Sequence, residues 1–158
     1  MRLNTIEIRG LVETSMLDWP GKLATVVFLP GCNLRCPYCH ARDILGHPEA
    51  AESIPVDKTL EFVSRMEGWI DGVVISGGEP TLHPQLPLLV AEIKSRGFAV
   101  KLDTNGTRPN VIECLIAERL IDAVAVDIKA PLDYRYLELT RTVFNLDDLR
   151  KTIDLVMN

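Results

Sequence analysis

Cys32, Cys36 and Cys39 form the pattern Cys-x-x-x-Cys-x-x-Cys, directly after an apolar run and the Leu29-Pro30-Gly31 stop. Three thiols this close make a poor disulfide set, because one bridge leaves a thiol over. They make a good soft-ligand clamp for zinc or an iron–sulfur cluster. A [4Fe–4S] cube held by three cysteines keeps one iron open, whereas a cluster that only carries electrons usually has four such ligands. The segment Cys36-Pro37-Tyr38-Cys39-His40 admits other chemistry as well. Cys-x-x-Cys-His is a c-type haem attachment signal, although that reading ignores Cys32 and needs an export route. Cys-Pro-Tyr-Cys looks like the redox pair of glutaredoxins. A structural zinc site would take His40 or Cys114 as its fourth ligand. The cysteines alone leave these alternatives standing.

The elements that must position this loop follow from hydrophobic period and turn residues. Leu3 to Arg9 alternates apolar and polar and reads as a short strand. Asp18-Trp19-Pro20-Gly21 is a turn. Leu23 to Leu29 is a β-branched apolar run, as in a strand buried on both faces. Pro37 disfavours helical geometry at Cys36, so the cysteines lie on a loop. Helical patterns cover Asp57–Trp69, Leu86–Ser95, Asn110–Arg119 and Asn145–Met157, the last with Asn145 as N-cap and Asp147 and Asp148 in the first turn. Strand patterns cover Gly72–Ser76, Phe98–Leu102 and Ala123–Ile128. Strands alternating with helices predict an α/β fold of about four parallel βα units in a single domain. The cysteines, Gly77 to Pro80, Asp103 to Asn105, and Asp127 to Lys129 each fall just after a strand. Ligands bind at the carboxyl ends of parallel strands, so these loops are expected to share one site.

Composition narrows the classes. The chain has 158 residues, 47% of them apolar and 25% charged, with a formal charge of −5. That is enough for one core, and the acidic balance speaks against nucleic acid as a partner. The longest apolar stretch, Leu23–Leu29, is too short to span a bilayer, and Met1–Gly10 has no hydrophobic signal region. A cytoplasmic location without membrane partners is expected, where clustered cysteines read as metal or redox sites. Cys114, in the apolar stretch Val111–Ile116, is expected as a buried core thiol, and Trp69 as a core or helix-end residue. His47 and His83, each before a proline, receive no role.

The three-cysteine spacing with aromatic Tyr38, followed after the next strand by Gly77-Gly78-Glu79-Pro80, resembles the radical S-adenosylmethionine (SAM) superfamily. Asp18-Trp19-Pro20-Gly21-Lys22, Phe28 to His40, Leu102-Asp103-Thr104-Asn105-Gly106 and Val126-Asp127-Ile128-Lys129 are similar to segments of its activating enzymes of glycyl-radical proteins. Among these, the turn at Asp18–Lys22 looks most like the activators of anaerobic ribonucleoside-triphosphate reductase.

The resemblance implies a partial (βα) barrel with outer helices over residues 23–158, preceded by an N-terminal strand and turn over 1–22. Family members usually continue through further βα units, so the barrel is expected to be incomplete after the fourth helix. It implies catalytic Cys32, Cys36 and Cys39 on a [4Fe–4S] cluster whose open iron chelates SAM, and reductive cleavage that leads to a radical on a partner's glycine. Tyr38 and the backbone of His40 are then expected at the adenine. Gly77, Gly78, Glu79 and Pro80 belong to the ammonium end, although these four residues would equally make a tight turn. Lys129 is expected at the cofactor carboxylate and Asn105 at the carboxylate or ribose. A monovalent cation, as in the pyruvate formate-lyase activating enzyme, is expected at Asp103, Thr104, Asp127 and the Ile128 carbonyl. Capping of the following turns is the alternative use of the Asp and Thr side chains. Expected partners are a glycyl-radical protein, first of all anaerobic ribonucleotide reductase, and a flavodoxin- or ferredoxin-type electron donor. Two alternatives are a radical SAM enzyme acting on a small molecule, like 7-carboxy-7-deazaguanine synthase, and a non-catalytic metal-binding fragment.

Overall fold

The computed structural model describes residues 3–40 and 52–158. One sheet has the strand order β1-β2-β3-β4-β5. Strand β1 (Gly10–Ser15) runs antiparallel to β2 (Ala24–Leu29). Strands β2, β3 (Gly72–Gly77), β4 (Ala99–Thr104) and β5 (Ala123–Val126) are mutually parallel. Helices α1 (Val56–Arg65), α2 (Leu86–Ser95) and α3 (Pro109–Ala117) follow β2, β3 and β4. Helices α4 (Tyr134–Thr140) and α5 (Leu146–Met157) follow β5. This is the expected α/β chain of parallel βα units.

The two faces of the sheet have different tasks. Side chains alternate along a strand, so Val100 and Leu102 of β4 point one way and Lys101 and Asp103 the other. The first face joins Val27, Leu29, Val73, Ile75, Val100 and Leu102 to the buried residues of α1, α2 and α3 in the main core. The second face carries a smaller cluster of Trp19, Ala24, Val26 and Val74, with Phe28, Ala99 and Ala123 packed against it. Trp19 comes from the β1–β2 turn and closes this face at the starts of the strands. The fit is tight: a Cβ on Gly72 would lie 2.6 Å from the Ala99 carbonyl oxygen and 2.8 Å from the Trp19 ring. Toward the strand ends the same face becomes polar, at Ser76 and Asp103.

Three local expectations need correction, and one short helix has no counterpart among them. Leu3–Arg9 is not a strand: Leu3–Thr5 is a 3-10 turn, and Ile8 makes an isolated bridge to Ile54. Pairing with β2 runs outward from the tight turn, from Ser15–Ala24 to Gly10–Phe28, so the strand lies later in the chain. The alternation at Leu3–Arg9 instead reflects Ile6 and Ile8, both buried in the main core. Helix α4 was not foreseen, because a two-turn helix burying Tyr136 and Thr140 shows little periodicity. Cys114 is exposed, since Ile112 and Leu115 occupy the core-facing positions of α3. Trp69 lies past the end of α1 and is 75% exposed. His47 lies outside the described residues. Among the described residues, no helix is long and apolar enough to cross a membrane.

Gly72→Ala should therefore lower stability by about 1–3 kcal/mol through overpacking. A urea midpoint equal to that of the unsubstituted chain would contradict the close contact of Gly72 with Ala99 and Trp19.

Candidate active site

The cysteine loop leaves the end of β2 and is tied to its neighbours at several points. Gly78 N–H donates to the Leu29 carbonyl at 2.9 Å and Glu79 N–H to the Gly31 carbonyl at 2.8 Å. The approach of β3 to β2 requires glycine at 77: φ is +123° there, and a Cβ would sit 2.2 Å from the Leu29 carbonyl oxygen. The His83 ring nitrogen Nε2 lies 2.8 Å from the Pro30 carbonyl. On the other side, Arg35 N–H donates to the Thr140 carbonyl at the end of α4, at 2.9 Å. Asn105 Nδ2 donates to Asn33 Oδ1 at 2.9 Å, and Asn33 Nδ2 donates to Thr107 Oγ1 at 2.8 Å. The Cys32 sulfur accepts from Leu34 N–H at 3.3 Å and from Asn105 Nδ2 at 3.8 Å.

Glu79 anchors this arrangement. Its side chain is wholly buried. Oε1 accepts from Thr81 N–H at 3.0 Å, from Thr104 Oγ1 at 2.8 Å and from the Thr81 hydroxyl. Oε2 accepts from Asn105 N–H at 2.7 Å. A buried carboxylate is tolerated when its lone pairs are filled in this way. The four bonds lock the loop after β3 to the end of β4.

One cavity of about 410 Å³ opens at these strand ends. The cysteine loop lines it with Cys32, Leu34, Cys36, Tyr38, Cys39 and His40, and β3 with Ser76, Gly77 and Gly78. The other walls are Asp103, Thr104 and Asn105 after β4, and Asp127 and Lys129 after β5. Four loops therefore meet at one site. Glu79 and Pro80, expected at the cofactor, are not in its lining: the first is consumed by internal hydrogen bonds and the second begins a buried 3-10 turn, Pro80–Leu82. Ile128 is also outside the lining and is half exposed. Two wall residues were missed. Ser76 was detectable by alternation from Val74, and Leu34 had no sequence signal beyond its place between the cysteines.

Charge in the cavity is arranged in pairs. Lys101 Nζ lies 2.5 Å from Asp103 Oδ1, and Lys129 Nζ lies 2.5 Å from Asp127 Oδ2. Burial pushes the Asp103 carboxyl above its ordinary range, against the pull of Lys101 and a hydrogen bond from Ser76. For Lys129 burial acts downward, but the Asp127 carboxylate, with Cys36 and Tyr38, outweighs it and the ammonium is raised. Burial also raises the Cys32 thiol, with the charges of Glu79 and Cys36 adding to the effect and the Leu34 and Asn105 hydrogen bonds opposing it. Of the oxygens expected at a cation, Thr104 Oγ1 donates to Glu79, Asp103 Oδ1 pairs with Lys101 and Asp127 Oδ2 pairs with Lys129. All four cysteines are free thiols. Among the described residues no group of three or more His, Cys, Asp and Glu side chains is gathered closely enough to hold a single metal ion.

Residues 26–158 match the profile of the radical SAM superfamily, and the chain belongs to that superfamily. It is 39% identical over 148 residues to a protein of Methanocaldococcus jannaschii provisionally named a glycyl-radical enzyme activating enzyme, covering 92% of this chain and 59% of the relative. It is 33% identical over 158 residues to the pyruvate formate-lyase-activating enzyme of Clostridium pasteurianum, covering 97% of this chain and 63% of that one. The chain thus spans about three fifths of the length of these curated relatives. The crystal structure of QueE from Escherichia coli shares the fold at a TM-score of 0.56 and 20% identity, over 96% of this chain and 76% of that chain.

The superfamily implies a [4Fe–4S] cluster and SAM. The donors suit them: three free cysteine thiols line one cavity together with the Gly77–Gly78 backbone and polar side chains from the ends of β4 and β5.

Glu79→Gln places an N–H against one of four donors. It should cost about 1–3 kcal/mol and raise hydrogen exchange at 77–82 and 103–107 together. Unchanged protection in both loops would refute the coupling.

Proposed function

We propose that this chain is the radical SAM part of an activase that generates a glycyl radical on a partner enzyme. The observation that carries this reading is the convergence of Cys32, Cys36 and Cys39 with the ends of β3, β4 and β5 on one cavity. The names of the relatives, a glycyl-radical enzyme activating enzyme and a pyruvate formate-lyase-activating enzyme, support the reaction type.

In this reading the thiolates of Cys32, Cys36 and Cys39 would hold the cluster, and SAM would bind beside it. When bound, the reduced cluster supplies the electron that breaks a sulfonium carbon–sulfur bond of SAM. The residues of the chain bind, orient and shield. Tyr38, 45% exposed on the wall, offers a ring face to adenine, beside the His40 backbone. Gly77 and Gly78 bring bare backbone to the ammonium group, with no Cβ in the way. Lys129 offers a cation to the SAM carboxylate, steadied by Asp127. Asn105 is held in orientation because its Oδ1 accepts from Thr107 N–H and Oγ1 at 3.0 and 2.8 Å. Asp103 and Thr104 complete the polar wall, and Leu34 contributes an apolar one. Glu79 and Pro80 act behind the wall and hold its shape.

The partner in this proposal is anaerobic ribonucleotide reductase, on the resemblance of the Asp18-Trp19-Pro20-Gly21-Lys22 turn. A flavodoxin- or ferredoxin-type protein delivers the electron.

Anaerobically reconstituted protein should contain about four irons and four sulfides per chain and form 5′-deoxyadenosine from SAM and dithionite. Alanine at Cys32, Cys36 or Cys39 should abolish this. Mixing with the reductase should give a glycyl doublet by electron paramagnetic resonance. Zinc in place of iron would end the proposal. SAM cleavage with no glycyl signal on any glycyl-radical protein would point to a small-molecule substrate.

A further inference from the structure

Two carboxylates face the cavity, and each has a lysine two residues away on its own strand end: Lys101 before Asp103, and Lys129 after Asp127. The pairs are not equivalent. Asp127 is 68% exposed, so water screens it, whereas Lys101 and Asp103 are 12% and 28% exposed. Lys101 lies on the second face of the sheet in the row Val74–Lys101–Ala123. The alanine beside it leaves room for the side chain. Its ammonium donates to the Asp18 carbonyl at 2.7 Å, in the turn that carries Trp19, and to Asp103 Oδ1 at 2.5 Å. It thus joins the closed end of this face to the wall of the cavity. Burying a lysine this far is costly unless its protons are taken up, and here a carbonyl and a carboxylate take them. Burial presses the Asp103 carboxyl toward its neutral form, and Lys101 is the strongest influence against that.

We propose that Lys101 is the internal counter-cation of the cavity: its ammonium, between the Asp18 carbonyl and Asp103, takes the place of an external monovalent cation and holds Asp103 oriented. Lys101 is a positioning residue, since it acts on a bound ligand through Asp103. Of the other oxygens expected at a cation, Thr104 Oγ1 donates to Glu79 and accepts from Gly106 N–H, and Asp127 Oδ2 is held by Lys129. The inference concerns the cavity of the proposed cofactor site, but its first test does not need the cofactor.

Sodium-23 relaxation on the full chain, in sodium chloride titrated against choline chloride at constant ionic strength, measures cation binding directly. The unsubstituted chain and Asp103→Asn should show the same relaxation. Lys101→Met, which keeps the apolar stem and removes the charge, should gain sodium binding that potassium displaces. SAM affinity by calorimetry gives a second readout. It should change less than about twofold between choline, sodium and potassium for the unsubstituted chain. For Lys101→Met it should fall about tenfold in choline and recover in sodium or potassium. A purely structural lysine would show no such rescue. Sodium binding by the unsubstituted chain that is lost in Asp103→Asn overturns the inference, and that comparison stands even if Lys101→Met does not fold. A folded Lys101→Met that is as indifferent to sodium as the parent also overturns it. Absence of SAM binding in every salt would count against the proposed function and leave the sodium result to decide this inference.

Discussion

The buried carboxylate of Glu79 is the constraint on which the site depends. Removing a charge from water is repaid here by four donors, from Thr81, Thr104 and Asn105. The donors belong to two different strand ends, so the bonds can form together only when β3 and β4 are in register. The same loop is pinned to β2 by the Gly78 and Glu79 amides. A polar group that must be satisfied thus converts three flexible connections into one rigid rim. The cysteine loop inherits that rigidity through Asn105, Asn33 and Thr107.

Behind the rim, the sheet separates stability from chemistry. Its first face is aliphatic and buried under three helices, and it supplies most of the hydrophobic stabilisation. Its second face is apolar where Trp19 covers the strand starts and polar where the strands end. Lys101 sits at the boundary. The turn at Asp18–Gly21 is therefore more than a connection between β1 and β2: its carbonyl holds one end of the charge pair whose other end lines the cavity.

Much of this was legible from local pattern. The strands β2 to β5 and four of the five helices among the described residues follow from β-branched runs, 3.6-residue periodicity and terminal glycines. The convergence of the loops follows from their shared position after parallel strands. The N-terminal strand lies later than the alternation suggests because alternation reports burial, and Ile6 and Ile8 are buried with only the single bridge from Ile8 to Ile54. Helix α4 was missed because two turns carry too little period to register. Cys114 was assigned to the core from the apolarity of its neighbours, and helical phase put it outside.

Sequence by itself determined the chemistry-bearing set: three cysteines at a fixed spacing on a loop, a glycine pair after the next strand, and polar residues after the two that follow. These are properties of short segments, and short segments carry their own signals. Tertiary structure alone decided which of those residues face the cavity. Glu79 and Asn105 lie 26 positions apart, and Lys101 and Asp18 83 apart. No local pattern encodes whether such groups meet. Glu79 is expected from its motif at the cofactor or in a tight turn, and its carboxylate accepts from Thr81 close by and from Thr104 and Asn105 on the neighbouring strand end. Lys101 is silent in the sequence for the same reason: its meaning arises when a carbonyl from a distant turn and a carboxylate from its own strand close around one ammonium.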